Sequence, residues 1–358
     1  MRIGLYGMPT AGKTHVLNQL DFIDVKLGSN FLREICPDFD SKDEIGKNMA
    51  REKLASMLLR QDTFIMDGHY KFGDKVSFTD MDGKLYDVFL YLYISPSILE
   101  KRMSESEKNR KYLCYDIEKW QLDEIENLRE YCHNKNKDFY VLDNPANNVF
   151  GDVTDIVEFI RSIVNGFSCK LFAEKCVEQI LQRATSDVIT LLDGDKTIIK
   201  EDSSHAVFNY TTHIYDGNFY TGYQSWMQAK EFKAYRFEEL NELPFSFNEN
   251  VCKALNKDSF ILTSGHERVW SFISSYLDIP FYSGAEMAAE TKFFIAKMLQ
   301  KAGKIINAYG DGINDYYMLK QADKGYLVTK ADGTVSKSLK GKDLGGIEFV
   351  WTRKNKRS

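Results

Sequence analysis

The stretch Gly7 to Thr14, GMPTAGKT, most restricts how this chain can fold. It has the form G-x-x-x-x-G-K-[ST], directly behind the apolar run MRIGLY and ahead of a helical pattern that begins near Lys13. Such a loop works only when a buried strand delivers the backbone into a tight turn and a helix takes it away. The N–H groups of the turn and the helix start then converge on one anion. Gly7 and Gly12 permit the close backbone approach. Lys13 supplies a cation to phosphate oxygens, and Thr14 a hydroxyl suited to Mg2+. The chain is therefore expected to open with an α/β unit.

The hydrophobic pattern extends that expectation. Strand-like runs at 63–68, 87–94 and 138–143 alternate with helical stretches such as SKDEIGKNMAREKLASMLLRQ. This alternation predicts a parallel sheet covered on both faces, complete by residue 150. Residues 151–186 read as a helical connector, or as the last helix of the first domain plus a connector. Strands return at 188–193, 259–264, 304–311 and 324–329, which predicts a second α/β domain over 187–340. Roughly 60 residues separate the first two of these strands, too many for a plain crossover. The insert, at about 200–255, reads as a helical cap, and 341–358 as a C-terminal tail. The fold class is α/β, with two doubly wound parallel-sheet domains. A length of 358 residues with 43% hydrophobic content supplies a core for each.

Composition narrows the partners. A formal net charge of −5 does not favour nucleic acid. The six cysteines form no C-x-x-C pair and read as free thiols of a reducing compartment. No signal-peptide pattern and no apolar run near membrane-spanning length is evident, so a cytoplasmic protein without a membrane partner is expected.

Around the first loop, Asp67 ends the run TFIMDGHY, where its carboxylate can hold Mg2+ or its water, or cap a turn. His69 follows as a lone histidine. Arg102 and Arg110 flank KRMSESEKNRK and can clamp the oxygens of a transferring phosphoryl group. The phosphate loop, DGH and the arginine-bearing segment resemble the nucleotide-kinase branch of P-loop proteins, adenylate-kinase-like enzymes in particular, over about residues 1–145. The resemblance implies ATP as cofactor and a mobile lid that carries Arg102 and Arg110 onto the phosphate. Arg33, Asp38 and Asp40 are candidates for binding the acceptor.

The run LLDGDKTI at 191–198 puts Asp193 and Asp195 at the end of a strand, where open α/β sheets place their ligands. One carboxylate can attack phosphorus while the other protonates the leaving group and later activates water. Two such groups need a divalent cation to offset their repulsion. Ser264 ends the next strand in LTSGHE. Lys292 lies in AAETKFFIAK, and YGDGINDYYML offers Asp311 and Asp315. Thr263 is an alternative to Ser264, and Lys297 to Lys292. The set resembles haloacid-dehalogenase-like phosphatases, most closely the phosphoserine-phosphatase branch, over about 187–335. That likeness implies Asp193 as nucleophile, Asp195 as general acid/base, and Ser264 and Lys292 as phosphate binders. It also implies Mg2+ held by Asp193, Asp195 through its carbonyl, and Asp311, with Asp315 in support and Thr197 steadying the loop. Glu201 is placed to meet a substrate amine or hydroxyl. The aromatic-rich cap either stacks on a substrate or forms its own small core.

Together these readings predict a bifunctional enzyme. It would be an ATP-dependent kinase of a nucleotide-like or other small acceptor, joined to a Mg2+-dependent phosphomonoesterase for a small phosphorylated metabolite or nucleotide. Two further readings stay open: a polynucleotide 5′-kinase/3′-phosphatase, and a phosphatase regulated by a nucleotide-sensing P-loop domain.

Overall fold

The computed structural model describes residues 1–143, 152–215, 219–238 and 244–351. It divides into two compact units, Met1–Phe167 and Ser168–Ser358.

The first unit is built on β1 (Arg2–Tyr6), β2 (Val25–Lys26), β3 (Phe64–Asp67), a small antiparallel hairpin of β4 (Lys71–Phe72) and β5 (Lys75–Val76), then β6 (Val88–Leu92) and β7 (Asp138–Leu142). The main sheet has the order β2-β3-β1-β6-β7 and every pairing in it is parallel. Strands β6 and β7 are buried along their whole length, which is why VFLYL and DFYVL read as continuous rather than alternating.

The second unit carries β8 (Val188–Leu192), β9 (Ser259–Leu262), β10 (Phe281–Tyr282), β11 (Ile305–Gly310), β12 (Lys324–Thr329) and β13 (Ile347–Trp351). Its order is β10-β9-β8-β11-β12-β13, again all parallel. Alternate residues feed separate cores on the two faces. Leu191, Phe260, Leu262, Ile306 and Ala308 pack with the helices Cys169–Arg183 and Ala289–Lys301. Leu192, Ile261 and Tyr309 pack with Trp270 and Ile273. The period-2 geometry of a strand requires this split when both faces are covered. In both sheets the strand order reverses beside the first strand, and the crevice above that reversal is where a doubly wound sheet binds ligands.

The expected α/β class with two doubly wound sheets is what the structure has. The 151–186 segment is not a single connector. Helix Thr154–Val164 belongs to the first unit, where Phe159 stacks edge-on with Tyr140 of β7, and helix Cys169–Arg183 belongs to the second. The segment expected as a tail includes β13, an edge strand paired with β12. The cap is helical, with Ser203–Phe208 and Gly222–Phe232. Its two ends are tied by an antiparallel bridge of Ile199 with Phe247 and by Lys200 N to Ser246 O at 2.9 Å. The cap therefore closes near 248, earlier than the expected 255.

Candidate active sites

In the first unit β1 ends in the loop 7–12, and helix Lys13–Leu17 follows. Gly7 and Gly12 both have positive φ, 154° and 103°. A Cβ on Gly7 would lie 2.9 Å from the Leu92 carbonyl oxygen at the end of β6, so the neighbouring strand leaves room only for glycine. Lys13 is 5% exposed, and its ammonium donates to the Gly7 and Met8 carbonyls at 2.6 and 3.1 Å. Burial pushes Lys13 down to about 8, against the opposing pull of Asp67 and Glu124. His69 Nδ1 lies 3.5 Å from the Lys13 ammonium, and burial together with that charge holds the imidazole well below the usual histidine value.

A cavity of about 750 Å³ opens beside the loop and includes Thr14, Asp67 and His69 in its lining. Asp67 Oδ1 accepts the Gly28 N–H at 2.8 Å, so this carboxylate anchors the start of helix Gly28–Ile35 while also facing the cavity. Arg33 and Asp40 both line the cavity and pair with each other at 3.0 Å. Asp38 instead pairs with Lys42 at 2.8 Å.

The two lid arginines part company. Arg102, in the helix Pro96–Glu105, reaches back to the Thr10 and Ala11 carbonyls of the phosphate loop at 3.3 and 3.4 Å. Neither arginine lines the cavity, and the Arg110 guanidinium folds onto the Ser104 carbonyl at 3.1 and 2.8 Å. The 3-10 turn Arg110–Cys114 turns it back along the chain, and Lys108 and Lys111 take the place in the wall expected of it.

In the second unit the predicted residues converge. Asp193 follows β8, its N–H donating to Tyr309 O of β11 at 2.9 Å. Its carboxylate accepts from Lys292 Nζ at 2.6 Å and from Thr197 Oγ1 at 3.1 Å. The same ammonium reaches Asp315 at 2.8 Å. Lys292 is fully buried; burial works against its charge, but Asp193 and Asp315 hold it above the ordinary lysine range. Removing one partner from a buried pair of this kind costs about 3–5 kcal/mol. Lys297 points elsewhere, its ammonium over the Phe293 ring. Asp315 also accepts the N–H groups of Asp311 and Gly312 at 3.1 and 3.3 Å, which fixes the turn after β11.

One carboxylate oxygen each from Asp193, Asp311 and Asp315 lie within 4.8 Å of one another. Burial, then Asp193 and Asp315, hold Asp311 well above the usual carboxylate range. Burial, then Asp193, brings Asp315 up to about 6. Three crowded hard carboxylate oxygens, with the proton affinity of Asp311 and Asp315 raised, are a fit for Mg2+. The Asp195 carboxylate stands outside this group. It accepts the Ser203 N–H at 2.9 Å, and burial with nearby Asp202 raises it to about 7.

Asp193, Asp195, Asp311 and Asp315 line a cavity of about 640 Å³ together with Ser264, which donates to Met287 O at 2.6 Å and accepts from Asn314 Nδ2 at 3.2 Å. Thr263 Oγ1 accepts the Gly265 N–H at 3.0 Å and shapes the turn. Gly194 and Gly265 clasp Trp270. A Cβ on either would come within 2.3 Å of the indole. Overpacking at such a site costs about 1–3 kcal/mol, which gives a physical reason for glycine between the two aspartates. Glu201 is absent from the cavity lining and accepts the Ser246 N–H at 2.8 Å, holding the cap's two ends together. Residues left without a role by the sequence also enter: Asn314, and from the cap Tyr220 and Gln228. Tyr220 is within hydrogen-bond reach of Ser264 and Tyr215.

Sheet order and the position of each motif define two doubly wound parallel α/β units, each with its candidate site at the strand reversal. No family model and no curated protein matches the chain. Solved structures similar to it include a shikimate kinase from Acinetobacter baumannii in complex with shikimate, at 16% identity and TM-score 0.34, covering 47% of this chain and 95% of that one. A shikimate kinase from Aquifex aeolicus matches at 18% identity and TM-score 0.29, covering 47% of this chain and 100% of that one. A haloacid-dehalogenase family hydrolase from Salmonella enterica serovar Typhi matches at 15% identity and TM-score 0.30, covering 51% of this chain and 77% of that one. Among the described residues no helix is long and apolar enough to cross a membrane. All six cysteines are free.

Proposed function

We propose that the second unit is a Mg2+-dependent phosphomonoesterase working through an aspartyl-phosphate on Asp193, and that the first unit is an ATP-dependent phosphotransferase for a small acceptor. The observation that carries the first part is the setting of Asp193. Its carboxylate is fixed by Lys292 and Thr197, beside the Asp311–Asp315 cluster and in a cavity shared with Ser264.

The chemistry follows from the residues. A carboxylate oxygen of Asp193 attacks phosphorus, and the bond from phosphorus to the ester oxygen breaks. Asp195, raised to about 7, carries a proton for that leaving oxygen at neutral pH. Asp195, now a carboxylate, then takes a proton from water as the water attacks the phosphorus of the acyl phosphate. Inorganic phosphate leaves and the Asp193 carboxylate is restored. Lys292, Ser264 and Asn314 are positioned to receive the phosphoryl oxygens. Asp193, Asp311 and Asp315 would hold Mg2+, which when bound offsets the charge of the cluster and of the phosphoryl group.

In the first unit Lys13 and the loop N–H groups serve the phosphates of ATP, Thr14 its Mg2+, and Arg102 braces the loop. Cations and aromatic rings in the adjoining cavity, among them Arg33, Arg51, Phe39 and Tyr112, suit an anionic acceptor.

The test is Mg2+-dependent phosphate release from p-nitrophenyl phosphate by the full chain, with Asp193→Asn as control. A loss on the order of a thousandfold or more in the control supports the reading. An unchanged rate overturns it.

A further inference from the structure

We infer that the phosphatase cavity takes a monophosphate ester whose leaving group is uncharged and hydroxyl-bearing, of sugar or nucleoside size, and that it rejects esters carrying a second anion. The inference rests on the phosphomonoesterase reading and adds the substrate class. The cavity is about 640 Å³. Asp193, Ser264 and the acidic cluster occupy its reacting end, with the fully buried Lys292 behind Asp193 and Asp315. The cap supplies the opposite wall with His205, Thr211, Thr212, Tyr215, Tyr220 and Gln228.

That wall holds hydroxyls, an amide, an imidazole and aromatic rings, and no guanidinium. Lys196 is the cation among the lining residues, and its ammonium pairs with Asp202 at 3.2 Å. Five carboxylates line the same space: Asp193, Asp195, Asp202, Asp311 and Asp315. Lys233, Arg236 and Arg268 line a separate cavity that shares only Ser264 and Gly265 with this one. A second phosphate or a carboxylate held within this cavity would therefore be desolvated against acidic walls, an arrangement that is strongly unfavourable. Phosphoserine meets the same obstacle at its carboxylate, and Glu201, the candidate for its amine, is spent on Ser246 N.

An uncharged polyol fits instead. Tyr215 donates to Gln228 Oε1 at 2.8 Å, which orients the amide so that its NH2 group faces a ligand hydroxyl. The Tyr215 and Tyr220 rings stack in parallel, 3.9 Å apart with a 1° tilt. They form a rigid flat surface of the kind that packs on a sugar face or a base.

The experiment compares kcat/KM of the full chain with Mg2+ on a hexose monophosphate and a nucleoside monophosphate against a hexose bisphosphate, phosphoserine and a 3′-phosphorylated dinucleotide. p-Nitrophenyl phosphate reports whether the reacting end works. The expected result is a preference of about tenfold or more for at least one of the first two esters, equivalent to about 1.4 kcal/mol. Which of the two leads separates sugar from nucleoside. If p-nitrophenyl phosphate turns over and the bisphosphate, phosphoserine or dinucleotide matches or exceeds both, the inference is overturned while the phosphomonoesterase reading stands. Silence toward every ester, p-nitrophenyl phosphate included, overturns the phosphomonoesterase reading itself. A second arm uses Thr212→Arg, with rates taken relative to p-nitrophenyl phosphate. Adding a cation to the wall should raise relative activity on the bisphosphate by about tenfold. An unmoved ratio in a variant that still hydrolyses p-nitrophenyl phosphate shows that the wall does not read charge, and the inference falls.

Discussion

Lys13 and Lys292 are both buried lysines at the ligand-binding edge of a parallel sheet, and the protein holds them in opposite ways. Lys13 rests on the carbonyl dipoles of its own loop, and burial lowers it to about 8. Lys292 is clamped between Asp193 and Asp315, and those charges keep it protonated. The first lysine is an unmatched cation whose binding energy is reserved for an incoming anion. The second belongs to a site already neutralised in part, where the ligand must share its cation with a nucleophile. The contrast extends outward. The site residues of the second unit come from strand ends and packed helices, whereas Arg102 and Arg110 of the first come from a helix end and a 3-10 turn.

The largest effect that bears on this contrast lies in the lid. Arg102 touches the phosphate loop and Arg110 does not, so the two should separate in ATP turnover. Arg102→Ala is expected to lower it on the order of a hundredfold, less than the 10³–10⁵ of an arginine that contacts the transferring phosphate because Arg102 braces the loop, and Arg110→Ala less than about twofold. Equal losses would mean that Arg110 swings onto the phosphate. No turnover in the parent chain, with ATP still altering phosphatase activity, would make the first unit a nucleotide sensor.

A smaller effect concerns Lys13 alone. Its free-state value of about 8 lies below the ordinary lysine value, and a bound polyphosphate favours the ammonium form. Nucleotide affinity should therefore be full below pH 8 and fall above it, by about tenfold between pH 7 and pH 9. His69, held well below the usual value, stays neutral across that window and does not contribute. Calorimetry in buffers of different ionisation enthalpy should record proton uptake on binding at pH 9 and none at pH 7. A flat affinity would show that Lys13 keeps its proton in the free protein.

Much of the second site was legible because its chemistry sits where strands stop. Asp193, Ser264 and Asp311 each follow an apolar run that had to be a buried strand, and parallel strands bring their ends together. The same reasoning found Gly7–Thr14. It missed β2 and β10, which are only two residues long and carry no periodic signal. It missed β13 because an edge strand with a mostly exposed face reads like a tail. Arg110 and Glu201 are held away from the cavities for another reason: both have charges suited to a substrate, but local backbone groups claim them, Ser104 O and Ser246 N. Which partner a surface charge finds depends on a turn geometry that residue type does not encode. Nothing in the sequence singles out Gly194; Trp270, far along the chain, explains why it must be small.

The most direct measurement is chemical trapping of the intermediate. Given p-nitrophenyl phosphate, whose leaving group departs without a proton from Asp195, Asp195→Asn should still accept a phosphoryl group at Asp193 but release it slowly, because the base that activates water is gone. Incubation of that variant with Mg2+ and that ester, reduction with borohydride, and peptide mass spectrometry should find homoserine at position 193. Homoserine at another aspartate, or none in a variant that still releases phosphate, would contradict the account.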